Sequence, residues 1–210
     1  MDKEQVYAAI AAERRELADA LAGLTDDQWA TPSLCGAWTV RGVAAHLIAP
    51  LINSPAKFIP AILKAKGSFD KASVAVTADV IERHGAELPR LLREQAENRF
   101  APPVLGPKAQ LADTVIHGQD IRRPLGISRS FDPERQRTIL TFLTSFAAQR
   151  AFTPRDRRRD GLRWEATDLA WSSGQGKVVR GPAEAIMLVL SGRPVALAEV
   201  TGDGVAQLHG

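Results

Sequence analysis

The spacing of hydrophobic residues changes along this chain at a run of charged residues, 155–160. Before that run, apolar side chains recur every three or four positions, which is the period of amphipathic helices. After it, short apolar segments alternate with glycines, which is typical of strands and turns. We therefore expect an α+β protein, with a helical bundle domain over residues 1–152 and a small α/β domain over residues 161–210.

Helix start and stop signals divide the first region. An apolar stripe predicts a first helix that ends near Gly23, with the charged residues 13–16 facing solvent. Segment 25–28 has the spacing of a capping box, which predicts a short helical turn. Thr39 is the expected N-cap of the next helix, which would carry His46 in its second turn.

Three more helical segments are predicted before the charged run. Residues 77–99 have a helical pattern that Gly85 and Pro89 weaken. A proline-rich loop then precedes a helix that holds the sequence DTVIH. Asp132 and the proline after it open a further helix, which we expect to run through Phe146.

The second region predicts two strands and one helix. Residues 162–166 and 177–180 have the composition of short strands, and glycines separate them. Gly181 and Pro182 open a helix that continues to Gly192.

Composition excludes several classes of function. Hydrophobic residues make up 45% of the chain, which is enough for a real core, and the formal net charge is only +3. Basic and acidic residues are interspersed, so no nucleic-acid-binding surface is expected. The run 155–160 is interpreted as a solvated loop, with an anion contact as the alternative. A single cysteine, the absence of a signal-peptide pattern and the lack of a long apolar run predict a cytoplasmic protein without a membrane role.

Asp113 and His117 form the most suggestive polar pair. They stand four positions apart, so on a helix an oxygen and a nitrogen ligand project from one face, one turn apart. Such a pair alone is weak evidence, but the apolar Val115 and Ile116 between them place it near the bundle interior. With His46 from another helix, the set would have three protein ligands and an open position, as catalytic metal sites do.

Three blocks of sequence resemble the mycothiol-dependent maleylpyruvate isomerase family, a branch of the DinB-like metalloproteins. They are PSLCGAWTVRGVAAHL at 32–47, DTVIHGQDIRRPLG at 113–126, and RGPAEAIMLVLSGRP at 180–194, followed by GDGV at 202–205. The resemblance implies an N-terminal domain of the four-helix-bundle type and a small C-terminal α/β domain related to sterol-carrier-like folds.

The same resemblance implies a divalent metal site, with zinc as the expected ion. Its ligands would be His46, Asp113 and His117, and the cofactor would be mycothiol, a low-molecular-weight thiol. The family has glutamate where this chain has Asp113. Because aspartate is one methylene shorter, it would bind directly only if the helices approach closely, or else through water.

Arg193 corresponds to an arginine that the family uses near its small-molecule substrate. A guanidinium suits a carboxylate on either substrate or cofactor. The alternative is a helix C-cap arginine with no role in binding.

Four other residues receive structural interpretations. Cys35 is expected to be a packing residue, because no base lies beside it in sequence. Asp120 is either an acceptor behind His117 or, as we favour here, an ion-pair partner of Arg123 at the helix end. Trp38 and Trp29 are expected to fix the loop before the His46 helix rather than to contact substrate.

The implied chemistry is thiolate attack on an electrophilic carbon of a small molecule. Addition to a conjugated double bond, rotation and elimination would be isomerisation, whereas capture without elimination would be thiol transfer. The alternative is a non-enzyme that keeps the fold and binds a small ligand or thiol, a hypothesis motivated by Asp113.

Overall fold

The computed structural model describes residues 1–36, 38–152 and 161–208. The chain divides into two compact units. The helical unit comprises residues 4–100 and 113–128, and the mixed unit comprises residues 1–3, 101–112 and 129–210. The domain boundary expected from sequence stays a prediction, and the charged run 155–160 lies outside the described residues.

The elements confirm the α+β class, with a mostly helical first region followed by a small sheet. The helices are α1 (Lys3–Ala22), α2 (Asp26–Ala30), α3 (Val40–Ile52), α4 (Pro55–Lys64), α5 (Phe69–His84), α6 (Leu88–Glu94), α7 (Pro107–Arg122), α8 (Pro133–Leu143), α9 (Phe146–Phe152) and α10 (Ala183–Leu190). The strands are β1 (Leu162–Ala166), β2 (Ser172–Gly174) and β3 (Lys177–Gly181). Within the described part of the chain, no helix has both the length and the apolar character needed to cross a bilayer.

The predicted helix caps are present. The Thr25 hydroxyl accepts a hydrogen bond from the Gln28 backbone N–H, and the Gln28 side chain accepts one from the Thr25 N–H, which completes the capping box. Thr39 caps α3 by accepting from the Gly42 N–H at 3.4 Å. Asp132 caps α8 by accepting from the Arg135 N–H at 2.8 Å. These contacts satisfy N–H groups that the helices cannot pair internally.

The observed helices differ from the predicted ones in three places. The third helical candidate is two helices, because α5 ends at His84 and α6 begins at Leu88. The prediction that α8 runs through Phe146 is wrong: it ends at Leu143, after which the Thr144 hydroxyl donates to the Leu140 carbonyl. Helix α4 was not predicted. It begins at Pro55, and proline is common at the first position of a helix, but a second proline, Pro60, interrupts the helical pattern in its sequence.

The core of the helical unit is built around α3. This helix packs against α2, α5 and α6, and α4 packs against α5. Residues of α3 with no or almost no exposure include Val40, Val43, Ala44, Ala45 and Ile48. Small alanines at the centre allow neighbouring helices to approach closely, so one polar side chain of α3 can meet polar groups of other helices.

The first helix differs from its predicted orientation. Glu13 and Arg14, expected to face solvent, are only 2% and 1% exposed, whereas Arg15 and Glu16 are exposed as predicted. Arg14 Nη1 lies within hydrogen-bonding distance of three backbone carbonyls, those of Gln95 and Ala96 at 3.1 Å and that of Asn98 at 2.6 Å. The guanidinium therefore donates hydrogen bonds to the turn after α6. The sequence of α1 alone does not reveal this role.

The mixed unit contains a three-stranded sheet in the order β2-β1-β3. Strand β1 pairs antiparallel with β2 and parallel with β3, and Trp164 lies opposite Ser173 on one side and Val179 on the other. Strand β2 was not predicted, because its glycine-containing sequence resembles a turn. Gly174 and Gly176 have φ values of 84° and 111°, a region that favours glycine, and Gly176 precedes β3. Helix α10 packs against both β1 and β3.

Candidate metal centre

His46 lies in the second turn of α3, as predicted, and is half-buried. Its Nδ1 lies 3.2 Å from the hydroxyl oxygen of Ser73 on α5. The Ser73 side chain is buried, being 7% exposed, so this contact is sheltered from water. When Nδ1 carries the proton and donates a hydrogen bond to this hydroxyl, Nε2 is the ring nitrogen left for a metal.

Asp113 and His117 lie on one face of α7, one turn apart. His117 Nε2 lies 3.5 Å from Asp113 Oδ1. The side chain of His117 is 11% exposed and that of Asp113 is 36% exposed, so the pair stands at the edge of the core rather than deep inside it. The helical face predicted from the spacing is therefore the face observed.

The structure brings His46 together with both residues of this pair. Each of the three side chains offers a ligand atom, and these atoms all lie within 4.8 Å of one another. The imidazole rings of His46 and His117 meet edge to face, with centroids 4.9 Å apart. The three residues that the sequence selected thus form one cluster within the helical unit, and their role as ligands stays a proposal.

Asp120 lies behind His117. Its Oδ2 is 2.8 Å from His117 Nδ1, and the residue has no solvent exposure. This is the interpretation of Asp120 that sequence reasoning ranked second, after an ion pair at the helix end. A carboxylate oxygen at this distance accepts a hydrogen bond from Nδ1–H, and in that tautomer Nε2 is the unprotonated ring nitrogen.

Trp38 packs against the core of the helical unit, as expected, and it also borders the cluster. Its indole stacks on the His46 imidazole, with a centroid distance of 4.6 Å and an interplanar angle of 24°. The same indole meets His117 edge to face at 6.3 Å. Trp29, by comparison, is buried in the hydrophobic core as expected. The sequence contains a sign of this contact: Trp38, Gly42 and His46 are four positions apart, which places them on one side of a helix.

Cys35 also lies closer to the site than its sequence neighbours suggested. A ligand atom of Cys35 lies within 4.8 Å of ligand atoms of His117 and Asp120. The residue is half-buried and forms no disulfide. Cys35 also packs against the hydrophobic core, as expected, and the polar groups near it come from α7, far away along the chain.

A buried positive charge acts on Asp113 from α1. Burial lowers the pKa of Arg14 to about 10, while the negative charges of Asp113 and then Glu97 raise it. Arg14 and Asp113 therefore attract each other in a setting of reduced solvent screening.

Arg193 belongs to the mixed unit. It follows α10 and occupies the N-cap position of a short 3-10 helix (Pro194–Glu199), and its Nη1 donates to the Ser191 carbonyl at 2.5 Å. This contact at the end of α10 resembles the helix-end alternative considered from sequence. A role for Arg193 in binding stays a prediction.

Comparison with known proteins identifies the family. The model of the mycothiol maleylpyruvate isomerase N-terminal domain matches residues 10–122, more than half of the chain and all three candidate metal ligands. The chain belongs to this family. No curated protein matches the sequence. The family relationship confirms the resemblance found in the sequence blocks at 32–47 and 113–126.

One solved structure shares the fold, and a second matches with a lower TM-score. A crystal structure of the mycothiol-dependent maleylpyruvate isomerase is 15% identical, covers 97% of this chain and 93% of its own, and has a TM-score of 0.59. A histidine mutant of a mycothiol-dependent maleylpyruvate isomerase, with 16% identity and the same coverage, gives a TM-score of 0.47. At 15% identity, the similarity to the first structure establishes the fold of this protein but not its reaction.

Proposed function

We propose that this protein is a metal-dependent enzyme that uses mycothiol to act on a small electrophilic molecule. The observation that carries the proposal is the convergence of His46, Asp113 and His117, whose ligand atoms lie within 4.8 Å of one another. Membership of the mycothiol maleylpyruvate isomerase family supports the choice of thiol. A single carboxylate among two imidazoles, rather than an oxygen-rich set, favours zinc over magnesium or calcium.

One donor distance supports a tetrahedral ion. Zinc ligands at about 2.0–2.1 Å in tetrahedral arrangement lie roughly 3.3 Å from one another. The distance of 3.5 Å between His117 Nε2 and Asp113 Oδ1 is close to that value. This distance supports the proposal that the aspartate reaches the ion in spite of its shorter side chain.

The residues around the ligands prepare them for binding. Asp120 orients His117, and Ser73 orients His46, so both imidazoles would present Nε2. Two neutral imidazoles and one carboxylate leave a divalent ion with net positive charge, which favours an anionic fourth ligand. When bound, such an ion supplies Lewis acidity that lowers the pKa of a thiol.

Mycothiol, when bound, would supply a thiolate nucleophile. Reversible addition of this thiolate to a conjugated double bond would be isomerisation, whereas capture without elimination would be thiol transfer. Arg193 would anchor a carboxylate of the substrate or cofactor in either case.

Metal analysis tests the proposal most directly. Protein purified without added metal is expected to hold about one equivalent of zinc, and His117→Ala less than about a tenth. His84→Ala is the matched control, because His84 ends α5 beside Glu87 and lies outside the cluster. Metal-loaded protein is then incubated with mycothiol and a panel of conjugated unsaturated acids, and thiol loss and isomer ratio are measured. Wild-type protein without metal, or no turnover of any acid, would contradict the proposal.

The remaining sequence-based expectations stay predictions. These are a cytoplasmic location and the absence of nucleic-acid and membrane partners. The choice between isomerase and thiol transferase is decided by the same panel, since only isomerisation leaves the thiol concentration unchanged.

A further inference from the structure

The indole N–H of Trp38 is a buried donor without an acceptor. Its Nε1 atom has essentially no contact with solvent and no hydrogen-bond partner among the described residues. Trp171, in contrast, donates from Nε1 to the Thr141 hydroxyl at 3.1 Å. Leaving a buried donor unpaired costs about 1–3 kcal/mol, so such groups are rare and call for a functional explanation.

This donor belongs to the same group of side chains as the candidate ligands. The indole stacks on His46 at 4.6 Å and meets the edge of His117 at 6.3 Å. A molecule that occupied the open position beside these two imidazoles would therefore lie next to the Trp38 ring. No other tryptophan has a ring contact with either histidine in the described part of the chain.

Gly42 holds the indole in this position. A Cβ atom at Gly42 would lie 2.7 Å from Trp38 Cβ and 2.9 Å from Trp38 Cδ1, closer than atoms of this kind approach. The indole thus rests on the bare backbone of α3, and from there it reaches His46 one turn later. Its orientation is set by packing, and no described residue accepts a hydrogen bond from its N–H.

We propose that Trp38 Nε1–H donates a hydrogen bond to an anionic acceptor atom of the ligand that binds at the His46–Asp113–His117 cluster. The acceptor is a thiolate sulfur or a carboxylate oxygen, the two anions that the proposed chemistry brings to this place. This inference rests on the proposed function. It makes Trp38 a ligand-binding residue and explains why an aromatic donor, rather than an aliphatic packing residue, borders the cluster.

The test compares Trp38→Phe with wild-type protein loaded with zinc. Phenylalanine keeps an aromatic ring but removes the donor, and Trp29→Phe is the matched control for a buried tryptophan of the same unit. Calorimetry measures the affinity for mycothiol in one arm and for maleate in the other. Trp38→Phe is expected to weaken binding about tenfold to hundredfold in at least one arm, because the lost hydrogen bond has a charged acceptor. Zinc affinity is expected to change less than about threefold, and the arm affected identifies the acceptor.

A second measurement keeps the test decisive if Trp38→Phe does not fold. Wild-type protein with isotope-labelled tryptophan shows one indole N–H resonance per tryptophan, and substitution of each of the other three assigns the resonance of Trp38. Addition of the ligand is expected to shift this resonance downfield. Unchanged affinity in both arms, or an unmoved resonance, overturns the inference while the proposed function stands. Wild-type protein that binds neither zinc nor mycothiol refutes the proposed function and this inference together.

Discussion

Asp120 Oδ2 lies 2.8 Å from His117 Nδ1, and neither group has appreciable contact with water. A carboxylate in this position fixes the tautomer and the ring orientation of a metal-binding histidine. The contact is made within α7, where residues three apart lie on one face of the helix. It is the firmest structural support for treating His117 as a ligand.

Asp120→Asn is expected to reduce zinc affinity by about tenfold to hundredfold, because the amide is a weaker acceptor and can turn its donor toward Nδ1. Competition with a chromophoric chelator measures the affinity. Asp19→Asn, at an exposed position of α1, serves as the control and should leave it unchanged. Equal affinities in wild-type protein and Asp120→Asn would show that the contact is only structural.

Gly42→Ala is expected to displace Trp38. The steric clash should lower the free energy of unfolding of the helical unit by about 1–3 kcal/mol. The higher helix propensity of alanine should offset roughly 1 kcal/mol of that loss. The added Cβ would lie 2.7 Å from Trp38 Cβ. Urea unfolding and tryptophan fluorescence measure the two effects. At Gly23 an added Cβ meets nothing within 4 Å, so Gly23→Ala should alter neither reading. Unchanged fluorescence in Gly42→Ala would argue against the close contact.

Arg14→Met is expected to lower the free energy of unfolding by at least about 2 kcal/mol, since three backbone carbonyls of the turn 95–98 lose their shared donor. Arg15→Met is the natural control, because Arg15 is exposed and pairs with Glu97 at the surface, where an ion pair contributes little. Chemical denaturation compares the two variants. Equal losses in the free energy of unfolding would mean that the hydrogen bonds of buried Arg14 contribute no more to stability than the surface ion pair of Arg15.

Removal of the metal, or His46→Ala, is expected to leave helical content and a cooperative thermal transition in place. The core of the helical unit consists of apolar residues such as Val43, Ile48 and Leu92, which need no ion to pack. Circular dichroism during heating, before and after chelation, provides the measurement. A non-cooperative transition in the metal-free protein would assign the metal a role in folding rather than in chemistry alone.

Sequence reasoning worked where neighbouring residues decide the outcome. The capping box at Thr25 and the N-caps at Thr39 and Asp132 form as predicted because each uses contacts within one turn of chain. The spacing of Asp113 and His117 likewise survived, since both lie on α7. The predicted end of the first helix near Gly23 is confirmed, whereas the predicted end at Phe146 is wrong, because α8 stops at Leu143 although its apolar pattern continues.

The sequence by itself determined the helix starts capped by Thr25, Thr39 and Asp132, the α+β class and one face of the candidate site. Only the tertiary structure decided that His46 meets that face, that Trp38 stacks on His46, and that Arg14 is buried. The physical reason is the range of the interactions. Hydrogen bonds within a turn can be inferred from residue types at fixed spacing, whereas the approach of one helix to another depends on how all apolar faces pack together at once.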